Sequence, residues 1–343
     1  MFLKSIASAI PPTAYSQKEC WDLMQSIGTL EGLRGRSRDL LEKVLTGESG
    51  IKKRHFAVEP ITTVFGRGAQ ELNQDFEVLA PVLAGQALTR ALAGASLQAS
   101  DLDALFVCTC TGYLCPGLTS HLAEKVGLRA DAYLQDLVGL GCGAAIPALR
   151  SAAGFLAAHP KATVAVVPVE ICSAAFYIDD DPGVLISLCL FGDGASASLW
   201  QGQGEGWRAS HFDTLHVPKE REKIRFVNAE GKLKNKLHRS VPSLAGQAVA
   251  TLFQRRPSSA PPKPTVIAHS GGRDVIESLD SVFQGSQPLR ATRQVLSDYG
   301  NMSSPSVLFA LEDYLSTSPA EDSLWLTSFG AGFACHSVSL NRA

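Results

Sequence analysis

A cysteine, a histidine and an asparagine, each set at a glycine-rich break in the chain, are the residues of this sequence best suited to nucleophilic chemistry. Cys142 stands in Leu140-Gly-Cys-Gly143, after an apolar run and before small residues leading into Arg150–His159, whose apolar spacing is helical. Gly141 and Gly143 leave room around the sulfur, as a tight turn does where backbone approaches a reacting group. Pro147 fits a helix that begins near Ala144, because the first helical turn has no N–H partner to lose. Cys142 is thus expected beside a helix N-terminus, whose partial positive charge lowers a thiol pKa from ~8.5 and favours thiolate. Further on, Thr265-Val-Ile-Ala-His269-Ser-Gly-Gly places a histidine where a buried strand ends, and Tyr299-Gly-Asn301-Met-Ser-Ser304 puts an asparagine at a helix start. Taken singly, they read equally as a small buried cysteine, a core histidine and a helix cap. Taken together, they have the form of a site assembled at the sheet edge of an α/β protein.

The elements that must hold these residues follow from periodicity. The region to about Glu71 reads as one strand and then helices, closing on Ser49-Gly-Ile-Lys52-Lys53-Arg54-His55, a basic cluster that is either a solvated face or a phosphate contact. Phe76–Ala95 is an alanine-rich helix, and Asp103–Cys108 a buried strand. A second helix runs to about Val126, and a short strand then leads to Cys142. Lys161–Val169 is apolar throughout, the mark of a strand covered on both faces. Strands alternating with helices imply an α/β fold with largely parallel sheets. Leu190-Phe-Gly-Asp-Gly194 and Ser328-Phe-Gly-Ala-Gly332 echo one another, each a glycine turn leading into a strand. Two pseudo-duplicated halves are therefore expected, residues 1–202 carrying the cysteine and 203–343 carrying the histidine and asparagine. The proline-rich Arg256–Pro264 reads as a surface loop of the second half.

Composition narrows the classes of function. With 45% hydrophobic and 19% charged residues the chain is a well-buried globular protein, and disorder is excluded. A net charge of −2 leaves no electrostatic footprint for nucleic acid or an anionic membrane. No apolar run approaches 18 residues, so no membrane span is expected, and the first residues are too short and too early broken by proline for a signal peptide. Cys108, Cys110 and Cys115 cluster with only His121 nearby, so no metal site is expected. Eight scattered cysteines suit a reduced, cytoplasmic protein.

Leu140-Gly-Cys142-Gly, Ile267-Ala-His269-Ser-Gly-Gly and Tyr299-Gly-Asn301-Met-Ser-Ser304 resemble the Cys-His-Asn motifs of type III polyketide synthases, the chalcone-synthase-like enzymes. Leu190–Gly194 and Ser49–Arg54 fit as well, and the likeness runs in order over nearly the whole chain. The resemblance implies a thiolase fold, layered αβαβα, working as a homodimer on coenzyme A thioesters with no permanently bound cofactor. It makes Cys142 the acyl carrier, with His269 and Asn301 stabilising the enolate formed when malonyl-CoA loses CO₂. It also implies that His269 pairs with the thiolate, and that the backbone N–H groups of Cys142 and Ala331 serve the oxyanion.

Departures from the family pattern are informative. Pocket positions often filled by threonine or methionine are here Cys110, Cys115, Cys172 and Ala175, beside Thr111 and Ser303. The gatekeeper phenylalanine positions fall on Phe212 and Asn235. Small side chains behind Cys142 predict an enlarged pocket that prefers a slender aliphatic starter to a coumaroyl group. The plant-type coenzyme A clamp falls on Leu41, Val44 and Glu48, so Lys52, Lys53, Arg54 or Arg273 must substitute, or the starter arrives on an acyl carrier protein. Two other readings stand beside this one: a ketoacyl-synthase-III-like enzyme making one condensation or acyl transfer, and a papain-like Cys-His-Asn hydrolase.

Overall fold

The computed structural model describes residues 1–258, 260–261, 263–284, 289–317 and 321–343; Ser259 and Pro262 of the proline-rich stretch lie outside them. The chain begins with β1 (Phe2–Ala9), β2 (Ala14–Ser16), α1 (Gln17–Ser26), α2 (Gly35–Thr46), β3 (Lys53–His55) and α3 (Ala69–Ala95). It continues through β4 (Ala104–Thr109), α4 (Leu118–Val126), β5 (Tyr133–Val138), α5 (Ala145–Ala158), β6 (Thr163–Glu170), α6 (Pro182–Leu190) and β7 (Gly194–Gln201). Then come β8 (Trp207–His216), β9 (Ile224–Ala229), β10 (Lys232–Leu237), α7 (Val241–Gln254), β11 (Thr265–Ala268) and α8 (Arg273–Phe283). The last elements are α9 (Arg290–Tyr299), α10 (Ser306–Ser316), β12 (Ser323–Gly330) and β13 (Ala334–Arg342).

Alternate residues along the strands face different cores, and that period of two stacks the chain in layers. In β4, Leu105 and Val107 join a cluster with α3, whereas Ala104, Phe106 and Cys108 join a second cluster with α5 and α10. In β12, Leu324 and Leu326 reach that same second cluster, and Trp325 joins a third with α7 and α8. Helices α5 and α10 thus lie between two sheet layers, with α3 outside one and α7 and α8 outside the other: the expected αβαβα order.

The strand order is β11-β12-β13-β8-β1-β7-β6-β4-β5, the two arrays meeting where Phe2 of β1 pairs with Arg208 of β8. The sheet is mixed, not largely parallel as alternation alone suggested. Among the described strands only β4–β5, β4–β6 and β11–β12 run parallel. The second glycine turn joins β12 directly to antiparallel β13 with no crossover helix, and β7 and β8 also run antiparallel to their neighbours.

Local chemistry explains the helix starts near the site. Ser16 and Glu19 form a capping box on α1, and Asp181 caps α6 through Gly183 N at 3.0 Å, with Pro182 at the first position. Helix α3 is long and apolar enough to cross a bilayer, contrary to the expectation from apolar runs. Half of that apolar window is buried inside the fold, with Ala84, Ala87, Leu88 and Ala91 in the first core cluster. The β9–β10 hairpin, though late in the chain, packs on α6: a Cβ on Gly183 would lie 2.3 Å from Leu237 O.

This layering predicts where truncation is felt. Leu149 of α5 is fully buried between the sheets, so Leu149→Ala is expected to cost ~3 kcal/mol in urea unfolding. Val78→Ala, on the exposed side of α3, is expected to cost under ~0.5 kcal/mol.

Candidate active site

Cys142 sits in a single 3-10 turn, Gly141–Gly143, directly before α5. Gly141 takes φ +59°, and a Cβ there would stand 2.9 Å from Ala331 N. Gly330 meets the other side of the turn, where its own Cβ would lie 2.5 Å from Gly143 N. Ser328 Oγ donates to Gly143 O at 2.9 Å. The two echoing breaks noticed in the sequence thus include one, at Ser328–Gly332, that is pressed against the cysteine turn and brings Ala331 N beside it.

His269 follows β11, its N–H held by Thr327 O at 2.9 Å and its ring edge-to-face with Phe329 at 5.2 Å. Burial drives its pKa down to about 3, and its Nδ1 has no hydrogen-bond partner. Asn301 is fixed on both sides of its amide: Oδ1 accepts from Ser303 N at 2.8 Å, and Nδ2 donates to Gly271 O at 3.3 Å. Its backbone bridges Phe191, with Asn301 N on Leu190 O and Gly192 N on Asn301 O. The helix it was expected to open begins later, at Ser306, so its amide acts locally on the Ser303 turn.

Burial pushes the Cys142 thiol up to about 12, although the Ser303 hydroxyl, donating to Sγ at 3.2 Å, opposes that shift. The helix-terminus expectation of a low thiol pKa therefore fails: a buried thiolate loses more solvation than one hydroxyl returns. Cys142 is a neutral thiol and His269 a neutral imidazole. Ser303, not His269, is the recorded partner of the sulfur.

A carboxylate that sequence reasoning passed over organises this region. Glu170, fully buried at the end of β6, accepts through Oε2 from Thr109 Oγ1, Cys110 N, Thr111 N and Thr111 Oγ1 at 2.8–3.1 Å. Its Oε1 accepts from Ser304 Oγ at 2.5 Å. One charge closing an apolar strand, Val166-Val-Pro-Val-Glu170, was the available signal. Asp193 of the first glycine turn plays a similar part, accepting from Ala57 N, Ser173 N and Ser173 Oγ, and burial raises its pKa to about 6.

Three cavities receive or reject the other expected residues. Cys142, His269, Asn301 and Arg273 line one of about 370 Å³, together with Val44, Ser49 and Arg239. Thr111, Cys172, Ala175, Asn235 and Ser303 line a narrow throat of about 20 Å³. Cys110 and Thr111 line a third cavity of about 490 Å³ beside Phe76 and Leu233, and Cys110 Sγ lies 3.2 Å from Ser303 Oγ. Lys52 is exposed, with its N–H on Ser297 O.

Four expectations need correction. Arg54 is buried, its guanidinium bound to Gln17 Oε1, Leu188 O and Phe191 O, so it holds the Phe191 segment and faces no substrate. Phe212 belongs to β8 and packs on the core between the sheets. Phe191 and Phe329 are the aromatics of the active-site cavity; Phe191, which also lines the throat, was missed because it looked like part of a glycine turn. Cys115 is exposed before Pro116 and outside all three cavities. The cavity lined by Cys172 and Ala175 is small, about 20 Å³, with Phe176, Leu188 and Phe226 among its other walls.

Comparison with known proteins agrees with this geometry. The profile described as FAE1/Type III polyketide synthase-like protein matches residues 11–225, and that of the chalcone and stilbene synthase C-terminal domain matches residues 213–337. A 1,3,6,8-tetrahydroxynaphthalene synthase of Streptomyces peucetius subsp. caesius is 29% identical over 98% of this chain and 92% of its own length. A 3,5-dihydroxyphenylacetyl-CoA synthase of Streptomyces toyocaensis is 29% identical over 94% and 85%. The crystal structure of the 1,3,6,8-tetrahydroxynaphthalene synthase of Streptomyces coelicolor A3(2) superposes with a TM-score of 0.89, at 25% identity, over 100% of this chain and 99% of that one. A layered αβαβα condensing enzyme is the class that fold and site define. This chain belongs to the type III polyketide synthase family, acyltransferases that use coenzyme A thioesters as substrates.

Two measurements check the site as described. With a thiol pKa raised to about 12, thiolate increases with pH throughout the neutral range, so alkylation of Cys142 by iodoacetamide should climb about tenfold per pH unit from pH 7 to 9. A rate already flat by pH 6 would mean a preformed thiolate. Glu170→Leu should cost ~3 kcal/mol or more in urea unfolding, because it strands buried donors on Thr109–Thr111 and Ser304.

Proposed function

We propose that this protein loads an acyl starter on Cys142, extends it by decarboxylative Claisen condensation with malonyl-CoA over several rounds, and cyclises or releases the product. The observation that carries the reading is that Cys142, His269 and Asn301 line a single cavity. In loading, Sγ attacks the thioester carbonyl as neutral His269 takes the thiol proton, the carbon–sulfur bond to coenzyme A breaks, and His269 passes that proton to the departing coenzyme A sulfur and is neutral again. Cys142 N and Ala331 N, at the junction of the two glycine turns, receive the oxyanion.

In extension, the bond to the malonyl carboxylate breaks, CO₂ departs, and the electron pair passes into an enolate. Neutral His269 and the Asn301 amide donate to its oxygen; neither adds a negative charge that would oppose it. The enolate carbon attacks the acyl-cysteine, the thiolate leaves, and the longer chain returns to Cys142 for the next round. In this reading residues 1–202 supply the nucleophile and residues 203–343 the donors. In the same reading Arg273 of that cavity, whose guanidinium also binds Glu48 O, Asp274 and Glu277, meets the phosphates of coenzyme A or of a carrier-protein arm.

Two further features support a particular setting. Strand β5 is the sheet edge and exposes Tyr133, Leu134 and Val138, a surface suited to pairing with a second copy in a homodimer. All eight cysteines are free, which suits a reducing cytoplasm.

Asn301→Ala should slow CO₂ release from malonyl-CoA by roughly 10²-fold, the cost of one oxyanion donor, while leaving an acyl adduct on Cys142 by intact-protein mass. Wild-type product masses should show several added C2 units. A single added unit would overturn iteration, and adduct loss equal to the loss of decarboxylation would overturn the division of roles.

A further inference from the structure

We propose that His336, which no motif marks, is a positioning residue for acyl transfer: its ring seats the cysteine turn so that Cys142 N and Ala331 N aim at one oxyanion. Three side chains form a row across the sheet against that turn. Ser328 of β12 stands directly opposite His336 of β13, and His336 stands opposite Thr214 of β8. Residues directly opposite in antiparallel strands point to the same face, so the row presents one surface. Ser328 Oγ donates to Gly143 O at 2.9 Å, and the Cδ2 edge of the His336 ring faces the same glycine. A Cβ on Gly143 would lie 3.2 Å from His336 Cδ2, from Gly330 N and from the Phe329 carbonyl carbon alike. The turn thus rests on β12 and one imidazole, with no room to settle further.

The ring itself is held from both sides. It is buried, its Nδ1 lies 3.1 Å from Thr214 Oγ1, and its Nε2 has no hydrogen-bond partner among the described residues. Burial drives its pKa down to about 4, with His216 of β8 and Arg150 of α5 acting in the same direction, so the ring is neutral at neutral pH. The His336 carbonyl accepts from Thr327 Oγ1 at 3.1 Å, and Thr327 O accepts from His269 N at 2.9 Å. His336 therefore lies between the turn that carries the nucleophile and the strand end that carries His269, yet it lines none of the three cavities.

Placement matters because the two N–H groups belong to different segments, Cys142 to the turn and Ala331 to the β12–β13 connection. They converge on one oxygen only while those segments keep their spacing, and a misplacement of ~1 Å can cost ~10²-fold in rate. Removing the ring opens space against Gly143 and lets the turn shift relative to Ala331. Decarboxylation does not use this pair of donors, since His269 and Asn301 take the enolate oxygen. The loss should therefore fall on acyl transfer.

The assignment rests on the loading step proposed above, and the two are tested separately. Acyl-enzyme formation by the wild type with acetyl-CoA, followed by quenched-flow intact-protein mass, tests that step, and no adduct there would overturn the function itself. His336→Ala should slow loading at saturating acetyl-CoA roughly tenfold or more, while CO₂ release from malonyl-CoA stays within about twofold. The acetyl-CoA dissociation constant, read by titration calorimetry in a Cys142→Ala background, should not change. His336→Phe, which restores a ring and removes the unpaired nitrogen, should recover loading to within about threefold of the wild type. Unaltered loading in His336→Ala, a phenylalanine variant as slow as the alanine one, or equal losses of loading and CO₂ release would each overturn the proposal. Should His336→Ala fail to fold, Ser328→Ala removes the other hold on Gly143 and should slow loading selectively in its place; unaltered loading there would overturn it.

Discussion

The buried carboxylate of Glu170 is the interaction on which the rest of the site depends. A charge removed from water survives only if its oxygens are saturated with donors, and here five donations come from two directions. Four come from Thr109–Thr111 at the end of β4, and one comes from Ser304, after Asn301, in the other half of the chain. The sheet carrying the cysteine turn and the segment carrying the asparagine are thereby tied at one point. From Ser304 the geometry passes through Ser303, whose hydroxyl lies 3.2 Å from Cys142 Sγ and whose N–H orients the Asn301 amide.

This tie explains why a site made of three distant segments can be both apolar and ordered. Burial disfavours the charged forms of both the thiol and the imidazole. Donors that remain neutral suit an anion that develops only during reaction, since they cost no reorganisation when it appears. The same low dielectric makes the cavity demanding of its ligands, and in the reading above the thiol gives its proton to His269 only as the sulfur attacks a bound thioester.

Much of this was legible in the chain because chemistry at element ends leaves a mark. Cys142 and His269 stand out as polar or reactive residues where apolar runs stop at glycines, and Asn301 follows a glycine before a helix; each lies where its glycines placed it. The αβαβα layering was implied by the family resemblance, and the alternate burial of β4 and β12 is its structural counterpart. What escaped depends on partners remote in sequence. Arg54 looks like one member of a basic run, and only its three acceptors on Gln17, Leu188 and Phe191 reveal a buried strut. Phe191 looks like turn punctuation, and only its bridge to Asn301 brings it to the throat. The substitution of small residues at Cys172 and Ala175 suggested space, but the cavity they line is small, about 20 Å³, with Phe176, Leu188 and Phe226 among its other walls, and no local pattern announces that.

The central claim is that decarboxylation belongs to His269 and Asn301, and acyl carriage to Cys142, as separable functions of one cavity. The most direct measurement is CO₂ release from malonyl-CoA by Cys142→Ala, with products identified by mass. The account predicts continued CO₂ release with acetyl-CoA as the product, no acyl-enzyme and no longer chain. Loss of CO₂ release together with loss of the acyl-enzyme would contradict it.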